Sequence, residues 1–130
     1  MFLETSSIEV GIITLLDNYF DLMHEQDMDL FDQVFHKDST LYGIVDGQPN
    51  LRSFAVYKDA MANRQSPREL GNKRRDHIIF VDQLTSEFAL ARVQLEMFGG
   101  VMQDYLNLVK LDGQWFVMAK MWTRIADAAE

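Results

Sequence analysis

The sequence has no cysteine, little basic charge and no long apolar run, and each absence excludes a class of function. Without cysteine among 130 residues there is no disulfide, thiolate nucleophile or zinc–thiolate site, and a cytoplasmic location is expected. Twelve basic residues face 20 acidic ones, and the resulting net charge of -8 opposes binding to nucleic-acid phosphates. The N-terminal stretch has no basic segment of a signal peptide, and no run is long enough to cross a membrane. We therefore expect neither nucleic acid nor a membrane as a partner.

Motifs for metals, cofactors and nucleophiles are also missing. The three histidines show neither HxH nor HExxH spacing, and the aspartates within residues 27–32 lack the glycine and glutamate of a calcium loop. No glycine-rich phosphate loop precedes a helix, and no serine or threonine is paired with histidine at a recognisable spacing. We expect no metal and no cofactor, and whether the protein is an enzyme stays open.

The elements that the chain does contain follow a clear order. A capping box of Ser6 and Glu9 predicts a first amphipathic helix that ends near Glu25. Asp27 is placed to cap a short second helix, and Ser53 a third that continues to about residue 63. Apolar and β-branched runs then predict strands at 39–45, 75–82, 87–98, 101–111 and 114–124. Helices segregated from a mostly antiparallel sheet indicate an α+β fold, with residues 1–130 forming one domain.

The last two predicted strands form a hairpin that is apolar on both faces. Asp112-Gly113 favours a two-residue turn, from which alternation sorts the side chains to two sides. The hairpin pairs Asn107 with Met118 and Tyr105 with Lys120 in this register. Because three modest helices cannot cover both faces, we predict a homodimer through one of them. The predicted dimer face consists of Leu106, Leu108, Trp115, Val117 and Met121. In the alternative, helices cover one face and the sheet curls over the other, which gives a monomer.

The opposite face combines an apolar wall with a few polar tips, which is typical of a small-molecule pocket. Alternatively, these tips reach solvent at the rim of the sheet or satisfy one another. Together with helix residues and the apolar side of the 87–98 strand, the predicted ligand pocket is lined by Tyr19, Met23, Phe54, Tyr57, Val93, Leu95, Tyr105, Asn107, Met118, Lys120 and Trp122.

Three stretches carry a resemblance to the nuclear transport factor 2-like superfamily. They read LLDNYFDLMHEQDMDLFDQVFHKDSTLYGIVDG, FALARVQLEMF and DYLNLVKLDGQWFVMAKMW, and the similarity extends from about Ile8 to Trp122. Within the superfamily, the chain most resembles a small bacterial group labelled as lumazine-binding. The resemblance implies a cone in which a strongly curved, mostly antiparallel sheet wraps the long first helix. It also implies a pocket at the open end, a pterin-like ligand and dimers through the outer face of the sheet.

Ketosteroid isomerase shares this implied fold and allows a comparison by residue. Its helix-one tyrosine falls on Tyr19, the tryptophan closing its last strand on Trp122, and the second member of its oxyanion pair on Asn107. Its general-base aspartate falls on Gly43, which has no group to remove a proton, so steroid isomerase activity is not expected. Lys120 is another candidate base, or an amine for a Schiff base, if it is desolvated. The alternative for Lys120 is an ammonium that reaches the mouth of the cone or pairs with a carboxylate.

Five of the twelve basic residues lie within residues 64–75. This segment is interpreted as a solvated loop or as a rim that attracts an anionic ligand. Our main hypothesis is a non-catalytic binding protein for a small, planar or partly apolar metabolite. The alternatives are an isomerase- or dehydratase-like enzyme that uses Tyr19, Asn107 and Lys120, and a module that binds another protein through its sheet.

Overall fold

The first helix starts slightly later than its capping pattern predicts. In the computed structural model, which describes residues 8–129, α1 spans Val10–Glu25 and Glu9 is its N-cap residue. The predicted cap, Ser6, lies outside the described residues. Since Glu9 precedes the helix, its side chain does not close a capping box and instead contacts the sheet. The predicted end of the helix near Glu25 is confirmed, and Gln26 adopts a left-handed conformation there, with φ of 54°.

The two other helices are short, and their predicted caps are confirmed. Asp27 precedes a 3₁₀ turn, Met28–Leu30, and its side chain accepts a hydrogen bond from the Asp29 backbone. This turn leads into α2, which spans Phe31–Val34. The hydroxyl of Ser53 accepts a hydrogen bond from the backbone of Val56 at the start of α3, which spans Phe54–Ala62.

Within residues 8–129, six strands form one sheet in the order β2-β1-β6-β5-β4-β3, in which only the β1–β6 pair is parallel. Two-residue turns at Asp46–Gly47, Phe98–Gly99 and Asp112–Gly113 have positive φ at both positions, as type I′ hairpin turns require. The α+β class and the four C-terminal strands are confirmed, while β2 was not predicted and β1 begins four residues earlier than expected. The strands are β1 Phe35–Val45, β2 Gln48–Ser53, β3 Asp76–Gln83, β4 Phe88–Met97, β5 Gly100–Leu111 and β6 Gln114–Asp127.

The core lies between α1 and the concave face of the sheet. Alternate residues of β4 are buried from Ala89 to Met97, and their partners on β5 share the same face because paired residues point the same way. Ala91 pairs with Leu106, and Ala89 pairs with Leu108, so both leucines point into the core. On α1, the residues that pack against this face are Ile12, Leu15, Leu16, Tyr19, Phe20, Leu22 and Met23.

A β-bulge in β6 changes which side chains face the core. Leu108 pairs with Val117, but the next β5 residue, Asn107, pairs with Ala119, so Met118 is an extra residue. A bulge reverses the inward–outward alternation of every residue beyond it. Consequently Val117 before the bulge and Lys120 after it both point inward, although they differ by an odd number of positions.

The predicted dimer face of the terminal hairpin is wrong, because the face it chose is the inner one and the bulge moves Met121 to the other side. Four residues of the predicted dimer face, Leu106, Leu108, Trp115 and Val117, are at most 4% exposed and belong to the core of the same chain. Only Met121 of that set lies on the outer face, where it is 52% exposed. The predicted pairs also fail beyond the bulge: the partners are Asn107 with Ala119, Tyr105 with Met121 and Leu106 with Lys120.

Candidate functional site

A cavity of about 190 Å³ lies between the C-terminal part of α1, α3 and the concave face of the sheet. Aromatic rings and methionine side chains make up most of its wall, and four charged side chains reach it. Methionine and aromatic walls adapt to ligands of different shape. The lining residues are Met23, Leu41, Arg52, Tyr57, Arg64, Met97, Phe98, Met102, Asp104, Lys120 and Trp122.

A buried polar cluster forms the base of this cavity. Asp104 is 2% exposed and Lys120 is 3% exposed, and the Lys120 Nζ lies 3.8 Å from Asp104 Oδ2. The hydroxyl of Tyr19, which is fully buried, donates a short hydrogen bond of 2.5 Å to the same carboxylate oxygen. Because charged groups are seldom buried without a partner, this cluster holds its carboxylate and ammonium together in a largely apolar site.

Tyr19 keeps its proton in this cluster. Burial raises the pKa of Tyr19 well above its ordinary value, and the neighbouring Asp104 carboxylate raises it further, because both disfavour a phenolate. The tyrosine is therefore a hydrogen-bond donor that orients the carboxylate. It does not itself reach the cavity, so it acts through Asp104.

Two aromatic rings position the Lys120 ammonium. Its Nζ lies 5.2 Å from the ring centroid of Tyr19 and 5.4 Å from that of Tyr57, within the range of cation–π attraction. Within residues 8–129, no residue forms a hydrogen bond with the Lys120 Nζ. Apart from the two rings, the ammonium interacts with the Asp104 carboxylate as an ion pair. The ammonium is thus held firmly while its N–H donors are left for a ligand in the cavity.

Trp122 occupies the space where a side chain at position 43 would lie. A Cβ added to Gly43 would stand 2.6 Å from Cε2 of the indole and 2.7 Å from Cζ2, closer than van der Waals contact allows. The glycine on β1 therefore lets the indole pack flat against the strand, and one side of the ring lines the cavity. The indole of Trp122 thus fills the volume that a side chain at position 43 would otherwise occupy.

The structure brings together only part of the predicted pocket. Met23, Tyr57, Lys120 and Trp122 line the cavity, and Tyr19 lies directly beneath it. The other predicted residues lie elsewhere: Val93 and Leu95 in the core, Phe54 against Phe31, Met118 in the bulge, and Tyr105 and Asn107 on the outer face.

Asn107 lies on the outer face of the sheet, whereas the buried Tyr19 is hydrogen-bonded to Asp104 instead. The sequence contained a signal for this assignment. Pairing across the Phe98–Gly99 turn places Asp104 opposite Val93, a residue that the alternation of its strand already puts on the inner face. The lining residues Arg52, Arg64, Met97, Phe98 and Met102 were also missed, because they meet the site only through tertiary packing.

A second cavity of about 180 Å³, the outer cavity, shares Trp122 and Asp104 with the first and is lined mainly by exposed residues of β1, β5 and β6. Exposed apolar side chains surround it, including Tyr42 and Met121, which are neighbours across the parallel β1–β6 pair. No set of three or more potential metal-ligating side chains clusters within residues 8–129. In the same range, no helix has the length and apolar character needed to cross a membrane.

Comparison with known proteins agrees with this architecture. The family model described as "Putative lumazine-binding" matches residues 7–123. A protein named aldolase FrzH from a Cladobotryum species is 28% identical over 120 residues, which cover 91% of this chain and 92% of the relative.

Solved structures of nuclear transport factor 2-like proteins of unknown function have the same fold. One from Silicibacter pomeroyi is 16% identical with a TM-score of 0.79, covering 95% of this chain and all (100%) of the other. Another from Methylobacillus flagellatus is 24% identical with a TM-score of 0.78, covering 94% of this chain and 97% of the other. The chain therefore belongs to the family described as "Putative lumazine-binding", and its curved sheet packed against one long helix has the fold of nuclear transport factor 2-like proteins.

Proposed function

We propose that the protein binds a small, partly apolar metabolite in the cavity above Asp104 and Lys120, which we call the inner cavity. The observation that carries the proposal is the composition of that cavity: methionine and aromatic walls over a base with two nearly fully buried charged groups. Apolar walls with a few fixed polar groups favour one orientation of a bound molecule. The family description adds lumazine, a planar bicyclic molecule, as one probe to test.

Methionine methyl groups allow a direct test. Met23, Met97 and Met102 line the inner cavity, whereas Met121 lines the outer one. In protein labelled with ¹³C at its methionine methyls, a ligand in the inner cavity should shift the first three signals and leave that of Met121 unchanged. The probes are lumazine and trans-cinnamate, and single Met→Leu variants assign the signals. A response limited to Met121 would contradict the proposed location.

A cavity-filling variant provides the control. In Met102→Trp the larger side chain should occupy part of the inner cavity and weaken binding of either probe about 10-fold or more. Met121→Trp enlarges an exposed residue on the other side of the sheet and should bind the probes as the unmodified protein does. Equal binding by both variants would argue against the inner cavity.

A second candidate is catalysis at a carbon next to a carbonyl group. The Tyr19–Asp104–Lys120 cluster favours it, since a carboxylate and an ammonium group reach the same cavity. In this candidate, Asp104 removes the proton and the electron pair moves to the carbonyl oxygen, where the Lys120 ammonium stabilises the charge. Where the substrate carries a β,γ double bond, the resulting dienolate takes the proton back at the γ carbon; alternatively, the enolate attacks an aldehyde. In the latter case the alkoxide takes its proton from the Asp104 carboxyl group. The relative named as an aldolase supports chemistry of this kind.

Proton exchange tests the catalytic candidate without knowledge of the substrate. In D₂O the protein should accelerate deuterium incorporation next to the ketone of 4-phenyl-2-butanone, followed by ¹H NMR. Asp104→Asn should abolish the acceleration, whereas Asp112→Asn, which removes a carboxylate from an exposed turn, should not. Exchange at the buffer rate with the unmodified protein would leave binding as the function.

We further propose that two chains pair through the outer face of the sheet, where Met121 is the one residue retained from the dimer face that the sequence predicted. The support is a set of exposed apolar side chains on adjacent strands around the outer cavity. Their exposed fractions are 39% for Tyr42, 71% for Ile44, 52% for Tyr105 and 52% for Met121. Apolar groups of this kind on one surface favour association. A protein-interaction module would use the same surface, and the oligomeric state distinguishes the two.

A further inference from the structure

The inner cavity has an unusual charge for this protein. The whole chain carries a net charge of -8, yet three basic side chains and a single carboxylate line the cavity: Arg52, Arg64 and Lys120 against Asp104. Since Asp104 already pairs with Lys120, the two arginines account for the positive excess. A cavity with apolar walls strengthens the field of such charges, because little water is present to screen them.

Arg64 differs from the other arginines of its loop. Arg68 pairs with Glu25, Arg74 pairs with Asp21 and Asp76, and Arg75 pairs with Glu96, all at the surface. These pairs neutralise three of the five basic residues in the segment that the sequence suggested as an anion-attracting rim. Arg64 instead turns inward and lines the cavity, and its guanidinium donates a hydrogen bond to a neutral amide oxygen.

The guanidinium of Arg64 is fixed before any ligand arrives. Its Nε donates a hydrogen bond of 2.7 Å to Gln26 Oε1, and the Gln26 amide nitrogen donates in turn to the backbone oxygens of Met61 and Arg64. Its central carbon lies 5.0 Å from the ring centroid of Phe98 and 5.9 Å from that of Tyr57. A side chain held in this way loses little further freedom when it binds a ligand.

The Nη2 of Arg64 is buried and makes no hydrogen bond to any residue in the described range, 8–129. Leaving a buried charged donor unpaired is costly, so proteins normally satisfy such a group with an acceptor. Because a guanidinium presents parallel N–H donors, a planar carboxylate is the acceptor that matches it best.

From these contacts we infer that the ligand of the inner cavity is a small organic acid, whose carboxylate pairs with Arg64 while its apolar body lies against the methionines and Trp122. Arg52, which also lines the cavity, adds longer-range attraction. The inference rests on the proposed binding function and adds the chemical class of the ligand.

The test compares two probes of nearly identical shape, trans-cinnamate and its neutral amide cinnamamide, by calorimetric titration at constant ionic strength. The unmodified protein should bind the acid about 10-fold or more tightly than the amide, the effect of one charge-assisted hydrogen bond. Arg64→Met should bring the two affinities together while keeping amide binding. Arg68→Met, which removes an equal charge from the same loop outside the cavity, should keep the preference. If Arg64→Met fails to fold, Arg52→Met should reduce the preference by a smaller factor.

A parallel titration with inorganic phosphate, followed through the Arg64 Nε–H signal in ¹⁵N NMR, separates the two levels of the proposal. Equal affinity for cinnamate and cinnamamide would overturn the acid class and leave the binding function standing. No binding of either organic probe, with a saturable shift of Arg64 by phosphate, would overturn the partly apolar ligand and retain the anion site. No response in either titration would overturn both.

Discussion

Single residues decide what the inner cavity offers to a ligand, and Lys120 and Asp104 matter most because both charges are nearly fully buried. Strict alternation from the Asp112–Gly113 turn did not predict this ion pair, because it placed the two residues on opposite faces of the hairpin. Once the bulge at Met118 is included, they lie on the same face. The chemistry of the site therefore depends on one extra residue in one strand.

Lys120→Met should lower the free energy of unfolding by about 3–5 kcal/mol, because it leaves the Asp104 carboxylate buried without its ion-pair partner. The measurement is urea denaturation at neutral pH. Asp104→Asn in the same chain should recover a large part of this loss, since the amide oxygen still accepts from Tyr19 and carries no charge. A loss below about 1 kcal/mol for Lys120→Met would show that the ion pair is not buried as described.

Gly43→Ala should destabilise the protein by about 1–3 kcal/mol, because the added methyl overlaps the indole of Trp122 and forces it to move. The cost should nearly vanish in a Trp122→Leu background, where the ring is absent. Thermal unfolding of the four chains in this cycle measures the coupling. A Gly43→Ala cost that is unchanged in the Trp122→Leu background would mean that contact with the ring is not its cause.

At the scale of elements, a polar contact fastens the start of α1 to the sheet. Glu9 Oε2 accepts hydrogen bonds from the Trp115 indole at 2.9 Å and from Lys110 at 3.1 Å, and Gln83 contacts the same side chain from β3. These partners lower the pKa of the Glu9 carboxyl, with the Trp115 hydrogen bond as the largest cause. A residue predicted to cap its own helix thus joins that helix to three strands.

Because the pKa of Glu9 is lower in the folded chain, its contribution to stability is present above the ordinary glutamate value of 4.5 and is lost as pH falls through the folded value. Glu9→Gln should therefore unfold more easily than the unmodified chain at neutral pH. The difference should shrink as the pH is lowered below 4.5. Denaturation curves between neutral and acidic pH measure it, with Glu87→Gln as a surface control. A difference independent of pH would contradict this role of the charge.

At the scale of the whole molecule, the outer face of the sheet is the proposed dimer interface. Tyr105→Glu places a charge among exposed apolar residues and should convert dimers to monomers without unfolding the chain. Leu84→Glu, at a residue that is 70% exposed in the β3–β4 connection, should leave the dimer intact. Sedimentation velocity and circular dichroism distinguish the outcomes. A monomeric unmodified protein would overturn the dimer and leave the face for another partner.

Trp115→Glu is expected to act differently from a dimer-face substitution. The indole is 4% exposed and contacts Glu9, so a carboxylate there would be buried next to another carboxylate. The chain should lose its cooperative unfolding transition, as followed by circular dichroism. A folded, monomeric Trp115→Glu chain would instead restore the face that alternation alone predicted.

Local signals in the sequence determined most of the elements of this protein. Helix periodicity predicted the end of α1, and Asp27 and Ser53 cap the helices that they precede. Asp112-Gly113 forms the predicted turn. These features could be predicted because each depends on residues a few positions apart. Tertiary structure alone decided which face of the terminal hairpin is buried. Alternation has a period of two, so the unpredicted bulge at Met118 reversed the faces of the β6 residues beyond it and brought Lys120 beside Asp104. Arg64 likewise reached the site through packing of its loop on Gln26 and Phe98, which no spacing along the chain encodes.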